Sequence, residues 1–359
     1  MFLKVFRSFV GIAAVVLAMI PIADGAEKAQ PFSIRGLTVS PGAIVSGFLT
    51  VPGDESGIAA DIPVTIINGT KKGSVLGLVA GIHGSEYPPI LATYRLKKMI
   101  DPDGLSGTVV LVHIANVPSF RRRTIYYGPA DGKNLNRVFP GDPKGSLSQR
   151  IASVLTEDII ARCDVLIDMH CGDGNESLIP YTYWMISGDP GLDESTKKLA
   201  MAFGLPVIIV DKERTRDPKD SKYFGNTAIL RGKSAITTEA GFLGRSDEES
   251  VLKNINGAMN IMRYLGMIPG PAERAPVPLW IDRYEVVMSQ RDGLFQPSAE
   301  MGHAVVKGQK IGVLTDFLGE APEDIVAPWT GILLYIIGTP PANKGEPLFE
   351  IGRIREETE

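Results

Sequence analysis

A histidine and a glutamate three positions apart, in His83-Gly-Ser-Glu86, are the residues of this chain best suited to hold a metal ion. They follow the apolar run 75–82, which predicts a buried β-strand. His170 ends a second apolar run, 165–169, in the same way. Two histidines and one carboxylate leave a coordination position open for water, as in hydrolytic rather than structural zinc sites. The sequence therefore predicts one Zn²⁺ per chain, bound by His83, Glu86 and His170.

The position of these residues favours a metal site over a chance pair in a polar loop. Ligands of open α/β sheets bind beyond the carboxyl ends of the strands, and two of the four histidines fall there. His113 lies inside the apolar run 109–115, where a histidine is more often a hydrogen-bonded core residue. His303 is predicted to lie in a surface loop. Neither of these two is a predicted ligand.

The segment Asn134-Leu-Asn-Arg-Val-Phe-Pro-Gly141 carries two groups that could bind a substrate. The planar guanidinium of Arg137 suits a carboxylate or a scissile carbonyl, and Asn136 could orient a bound group. Taken alone, the segment is better explained as a turn whose arginine forms a surface ion pair.

Glu239 ends a further apolar run that begins at Ile236. An apolar setting raises the pKa of a carboxylate and lets it accept a proton from an attacking water molecule. An exposed acid at the end of a strand explains the same residues equally well.

The elements that would position these groups alternate between strands and helices. Continuous apolar strands separated by helices indicate an α/β fold, a mixed sheet with helices on both faces, and residues 31–70 add antiparallel strands before it. We expect strands at 75–82, 108–115, 165–170, 206–210 and 235–239, and helices at 88–100, 147–161, 193–203 and 248–265.

The chain changes character at the Pro-rich segment 268–276, which predicts a linker. Beyond it, short strands separated by Gly and Pro predict a small, barrel-like, all-β domain over 276–359. Its short sequence segments resemble those of biotinyl and lipoyl domains, but the residues that surround a carrier lysine in those domains are missing. The predicted hydrolase domain therefore covers 31–268.

The N-terminus predicts export from the cytoplasm. Lys4 and Arg7 precede the apolar stretch 9–22 and a small-residue exit, which is the pattern of a signal peptide over residues 1–25. The expected location is periplasmic or secreted, with no stable membrane span after cleavage; an uncleaved anchor is the alternative.

The composition argues against a nucleic-acid partner and against a disulfide bond. The net charge of −4 comes without a basic block, so no nucleic-acid partner is expected. The two cysteines, Cys163 and Cys171, flank a predicted strand and would lie too far apart for a disulfide.

Together these segments resemble the succinylglutamate desuccinylase/aspartoacylase family, within the wider zinc carboxypeptidase fold. The correspondence runs from about residue 74 to 265 and rests on the order of four motifs: His83-Gly-Ser-Glu86, Asn134-Leu-Asn-Arg-Val-Phe-Pro, Asp168-Met-His170 and the Glu239 segment. The resemblance implies zinc held by His83, Glu86 and His170, with Glu239 as general base. It also implies substrate binding by Asn136 and Arg137, and a C-terminal β-domain that narrows the cleft.

The chain departs from the family pattern at two positions, the Asn134 site and the second substrate arginine. Many relatives have Asp where this chain has Asn134, so another group, with Asp168 as the candidate, is expected to support a zinc-bound histidine. The second substrate arginine of the family does not align. Arg123 of the cluster Arg121-Arg-Arg123 is chosen to stabilise the oxyanion.

The predicted function is a zinc-dependent amidohydrolase that removes the acyl group from a small N-acyl amino acid or related amide. A homo-oligomer is compatible with the sequence. One alternative is a periplasmic metallocarboxypeptidase acting on peptides or cell-wall stems, which an open groove would favour. The other is a non-catalytic, metal-dependent binding protein, which would not need a base at Glu239.

Overall fold

The computed structural model describes residues 27–55, 57–273 and 276–355. The predicted signal peptide, residues 1–25, lies outside these described residues. Within them, no helix is both long enough and apolar enough to cross a lipid bilayer.

The strands in chain order are β1 (Phe32–Ile34), β2 (Leu37–Val39), β3 (Ala43–Val51), β4 (Ala60–Asn68), β5 (Lys71–Ala80), β6 (Ser106–Val112), β7 (Val165–His170), β8 (Glu176–Leu178), β9 (Tyr181–Met185), β10 (Val207–Asp211), β11 (Ser234–Glu239), β12 (Leu279–Met288), β13 (Gly293–Pro297), β14 (Ala304–Val305), β15 (Lys310–Thr315), β16 (Glu323–Val326), β17 (Gly331–Ile337), β18 (Pro341–Ala342) and β19 (Pro347–Ile354). The helices are α1 (Tyr87–Met99), α2 (Val117–Arg122), α3 (Leu147–Val154), α4 (Pro190–Phe203), α5 (Phe224–Leu230) and α6 (Glu248–Tyr264), with a 3-10 turn at Leu135–Arg137 and a π-helical turn at Leu155–Ile160.

One mixed sheet of thirteen strands dominates the described chain, and the prediction of a mixed α/β sheet is confirmed. Twelve strands follow the order β14-β17-β19-β12-β10-β9-β11-β7-β5-β6-β4-β3, and β8 pairs with β17. Near its centre β5, β7 and β11 are adjacent and parallel. Their carboxyl ends therefore lie along one edge, where the segments with His83, His170 and Glu239 begin or end.

Helices cover both faces of this sheet. Leu96 of α1, Leu199 of α4 and Val251 of α6 belong to one apolar cluster, whereas Ile151 of α3 and Phe224 of α5 belong to another. All five side chains are buried, each stabilising the fold by about 2 kcal/mol through removal of apolar surface from water. The two clusters fix the central strands between helical layers.

The C-terminal strands are not detached from the main sheet. β12 pairs in parallel with β10, with Val207 opposite Leu279 and Ile209 opposite Ile281. β19 and β17 continue outward from β12, and a separate sheet has the order β16-β15-β13-β18. The reason is that an unpaired β10 would expose backbone N–H and C=O groups at a sheet edge. The domain boundary near 268–276 stays a prediction.

Candidate metal centre and cavity

The loop between β5 and α1 positions His83 and Glu86. Gly84 is required there because a Cβ at this position would lie 2.0 Å from the backbone nitrogen of Phe120. Glu86 is the last residue before α1, whose first turn contains Pro88 and Pro89 and therefore lacks two N–H groups that a helix start leaves unsatisfied. A tight loop followed at once by a rigid helix start holds the two side chains together.

Three potential metal ligands converge at the end of β5 and β7. His83 Nδ1 lies 2.6 Å from Glu86 Oε1, and His170 Nδ1 lies 2.8 Å from Glu86 Oε2. The ligand atoms of the three residues lie within 4.8 Å of one another, and all three residues are buried. The structure thus brings together the predicted trio.

The outer nitrogen of each histidine has an oxygen acceptor. His83 Nε2 lies 3.0 Å from Asn134 Oδ1, an oxygen that also accepts from the backbone N–H of Asn136 at 2.8 Å. His170 Nε2 lies 2.9 Å from Asp168 Oδ1. An amide oxygen can only accept, so His83 Nε2 carries a hydrogen, and Nδ1, which contacts Glu86, is the nitrogen that could bind a metal. Asn134 therefore accepts the hydrogen bond of His83, although another group is expected in this role from the sequence. Asp168 accepts the hydrogen bond of His170.

The electrostatics of this trio suit a cation. Burial alone would raise the pKa of Glu86, but the charges of His170 and His83 and their hydrogen bonds lower it to about 2. Burial would lower the pKa of His170, yet the charges of Asp168 and Glu86 raise it well above its usual value. Two imidazole nitrogens around an ionised carboxylate form a donor set that fits Zn²⁺.

Glu239 lies beside this centre because β11 pairs in parallel with β7, with Glu239 in register with His170. Burial raises the pKa of Glu239 well above its usual value, and the charge of His170 opposes that rise. Its Oε2 is buried and has no hydrogen-bond partner among the described residues. A carboxyl group in this state is suited to accept and return a proton.

A cavity of about 460 Å³ opens in front of the metal centre. One part of its lining is the metal wall, defined as His83, Glu86, His170 and Glu239. Another part is the tyrosine wall, defined as Tyr181, Tyr183, Tyr284 and Tyr335. The tyrosine wall draws on β9, β12 and β17, so the C-terminal strands contribute directly to the cavity.

Arg137 lines the cavity, and its guanidinium lies 4.6 Å from the ring centre of Tyr223. It donates to the backbone oxygen of Asn136 at 2.8 Å. Asn136 also lines the cavity, but its Oδ1 accepts from the backbone N–H of Phe224 at 2.9 Å. Asn136 thus ties the 3-10 turn to α5, while Arg137 keeps its positive charge available to a ligand.

The structure does not bring Arg123 into this group. Arg123 follows α2 in a left-handed conformation with φ 56°, and its side chain is exposed and outside the cavity lining. The second arginine of the cavity is Arg214, which pairs with Asp211 and stacks 3.8 Å from the ring centre of Tyr223. Nothing in the sequence around Arg214 distinguishes it from a surface loop residue.

Sequence reasoning also missed Glu176, which lines the cavity at the start of β8. Its Oε1 accepts from the hydroxyl of Tyr126 at 2.8 Å, and its Oε2 accepts from the backbone N–H of Asp173 at 3.2 Å. Burial raises its pKa to about 7, and the Tyr126 hydrogen bond opposes that rise. The segment 171–176 is rich in Gly, Asp and Asn, which predicts only a turn.

The other two histidines lie away from the centre. His113 is buried, with ring nitrogens 2.8 Å from Thr65 Oγ1 and 2.9 Å from Thr93 Oγ1. Burial lowers its pKa to about 4, so it is a neutral core residue at neutral pH. The side chain of His303 is about half exposed. Cys163 and Cys171 are buried free thiols.

Comparisons with known proteins identify the family that this chain resembles. Residues 72–265 match the model of the succinylglutamate desuccinylase/aspartoacylase catalytic domain. The chain is 30% identical over 344 residues to the N-alpha-acetyl-L-2,4-diaminobutyric acid deacetylase of Halomonas elongata, covering 92% of this chain and 98% of the relative.

Solved structures are similar over most of the chain. A succinylglutamate desuccinylase/aspartoacylase from Rhodobacter sphaeroides superposes with a TM-score of 0.79 at 27% identity, covering 90% of this chain and 100% of the other. The product-bound ectoine utilization protein EutE from Ruegeria pomeroyi has a TM-score of 0.79 at 23% identity, covering 91% and 100%. The similarity to EutE concerns the fold alone.

Proposed function

The chain belongs to the succinylglutamate desuccinylase/aspartoacylase family, and we propose that it is a zinc-dependent deacylase of a small N-acyl amino acid. The observation that carries this proposal is the pairing of the His83-Glu86-His170 trio with the unpartnered carboxyl oxygen of Glu239 on the neighbouring strand. A metal site without a base would serve binding alone. The combination is suited to hydrolysis.

His83, Glu86 and His170 would hold one Zn²⁺ per chain. Zinc, when bound, supplies Lewis-acid chemistry by lowering the pKa of water from about 15.7 toward 7 and polarising a carbonyl. Asn134 and Asp168 accept hydrogen bonds from Nε2 of the two histidines and so orient each Nδ1 toward Glu86 and the proposed zinc position. Glu239 takes the proton of the attacking water and returns it to the nitrogen of the departing amine.

Arg137 binds a carboxylate of the substrate through its guanidinium fork. Its position over Tyr223 and its hydrogen bond to the backbone of Asn136 restrict its rotamers, so less freedom is lost on binding. We propose an N-acetyl amino acid related to N-acetyl-2,4-diaminobutyrate as the substrate. The support is the named activity of the Halomonas elongata relative together with a cavity of small-molecule size.

Two alternatives receive less support. A peptidase needs a groove that admits a longer chain, whereas the cavity of about 460 Å³ is bounded partly by the C-terminal strands. A purely binding protein has no use for a desolvated carboxyl at Glu239. We also propose that residues 276–359 act as a barrel-like domain narrowing the cavity. The N-terminal segment is proposed to direct the protein to the periplasm or to secretion.

The proposed function is tested with purified, zinc-loaded protein. Release of free amino acid would be measured from N-acetyl-2,4-diaminobutyrate, other N-acetyl amino acids, N-succinylglutamate and short peptides. We expect the N-acyl amino acids to be cleaved faster than the peptides, and a chelator to abolish turnover until zinc is restored. Faster cleavage of the peptides would assign the peptidase instead, and zinc binding without any turnover would assign the binding protein.

A further inference from the structure

The cavity lining contains two cationic residues. Arg137 and Arg214 both line the cavity and stack on Tyr223, with guanidinium carbons 4.6 Å and 3.8 Å from the ring centre. Arg214 is already paired with Asp211. Arg137 has no carboxylate partner within the described ranges, so it is the charge that a substrate carboxylate would neutralise.

The cavity lining also contains an anionic residue, Glu176, that has no role in the proposed catalytic steps. Glu176 receives hydrogen bonds only from uncharged groups, the Tyr126 hydroxyl and the Asp173 backbone N–H. No lysine or arginine pairs with Glu176 in the described part of the chain. A carboxylate held away from bulk water without a counter-ion is stabilised strongly by a cation that arrives with the ligand.

Aromatic rings adjoin this carboxylate. Tyr126 donates to Glu176 and lies edge-on to His83, with 5.9 Å between ring centres. Tyr335 also lines the cavity; burial and the charge of Glu176 raise its pKa, whereas Arg137 lowers it. Tyr335 therefore lies close enough to Glu176 and to Arg137 for both charges to affect it. Tyrosine faces attract ammonium groups, particularly where water is excluded.

We propose that Glu176, held in place by Tyr126, is the specificity residue that binds a positively charged side-chain amine of the N-acyl amino acid. This inference rests on the proposed function and names its substrate class: amino acids with a carboxylate for Arg137 and an ammonium for Glu176. A neutral side chain of the same length would leave the Glu176 carboxylate without a partner, which penalises its binding.

The test compares two substrates that differ in one group. N-acetyl-2,4-diaminobutyrate and N-acetylnorvaline have side chains of the same length that end in an ammonium and a methyl group. For the zinc-loaded wild-type enzyme we expect kcat/KM to favour the ammonium substrate by about 30-fold or more. In Glu176→Gln this ratio should fall at least about tenfold, and Glu176→Asp should keep part of the preference.

Glu285→Gln is the matched control, because it removes the same charge from an exposed position outside the cavity. It should leave the ratio unchanged. If Glu176 only supported Tyr126 and the surrounding loop, both substrates would suffer equally and the ratio would stay constant. That result would overturn the inference while leaving the proposed function intact.

Calorimetry with the two free amino acids, 2,4-diaminobutyrate and norvaline, gives a readout that does not depend on turnover. Wild-type enzyme should bind the former more tightly, and Glu176→Gln should lose that difference; thermal melting checks that the variant is folded. Equal binding of both amino acids by wild-type enzyme would overturn the inference. Failure to hydrolyse any N-acyl amino acid, with binding preference retained, would instead overturn the proposed function.

Discussion

The metal wall and the tyrosine wall line one cavity, but they are built in different ways. In the metal wall, Glu86 contacts both His83 and His170 through charged hydrogen bonds at the ends of adjacent parallel strands. In the tyrosine wall, Tyr183 contacts Tyr181 and Tyr284 edge to face, with ring centres 5.3 Å and 6.0 Å apart. The first wall is electrostatic, and the second is mainly aromatic.

The two walls depend on different parts of the chain. The metal wall depends on strand pairing within the catalytic segment 72–265. The tyrosine wall depends on the pairing of β10 with β12, which brings C-terminal strands to the cavity. Changes in the metal wall should therefore affect chemistry, while changes around the tyrosine wall should affect stability and substrate preference.

The largest effect is expected for His83→Ala, which removes one ligand of the predicted zinc site. Elemental analysis should show loss of zinc, and activity should fall to background, since two protein ligands hold the ion poorly. His303→Ala, in a half-exposed side chain away from the cavity, is the matched control. A full zinc complement in His83→Ala would contradict the assignment of His83 as a zinc ligand.

Glu239→Gln should lower kcat by about 1,000-fold, because the amide cannot accept the proton of water. Zinc content should remain at the wild-type level, which separates this variant from His83→Ala. Steady-state kinetics and elemental analysis on the same sample check both parts. Near wild-type turnover would show that the base lies elsewhere.

Asn134→Ala should weaken zinc affinity by about 10- to 100-fold, because His83 Nε2 loses its acceptor. Competition with a chelator measures this directly. Asn134→Asp keeps an acceptor and adds negative charge, so it should bind zinc at least as tightly as the wild-type protein. An unchanged zinc affinity in Asn134→Ala would show that the three ligands hold the ion without help from Asn134.

The smallest effect is expected behind the tyrosine wall, at the fully buried Glu350. Tyr181 and Tyr183 donate to it at 3.5 Å and 3.4 Å, and burial raises its pKa to about 8. The folded state then binds this proton more tightly than the unfolded state, so stability falls as pH rises from about 4.5 toward 8. Between pH 7 and pH 8.5 this costs about 1 kcal/mol.

Glu350→Gln removes the titration, so its free energy of unfolding should fall less over this pH interval than that of the wild-type protein. Urea denaturation at several pH values measures the two slopes. Equal slopes would mean that Glu350 is ionised throughout the interval, and that the tyrosine wall is more polar than its contacts indicate.

Much of the fold and the metal wall could be predicted from the sequence. The expected helices 88–100, 193–203 and 248–265 correspond to α1, α4 and α6 within three residues at each end. The expected helix 147–161 corresponds to α3 and the π-helical turn that follows it. β9 was missed because its sequence, Tyr-Thr-Tyr-Trp-Met, mixes polar and aromatic residues without a continuous apolar run.

The candidate metal ligands and the carboxylate of Glu239 beside them could be predicted from the sequence, because buried parallel strands are long apolar runs and their polar termini gather at one edge. Arg214 and Glu176 line the cavity and Arg123 does not, which is evident only from the three-dimensional structure. These residues occupy loops and short strands without periodicity. Their positions follow from contacts between segments distant in sequence, such as β10 with β12 and β8 with β17.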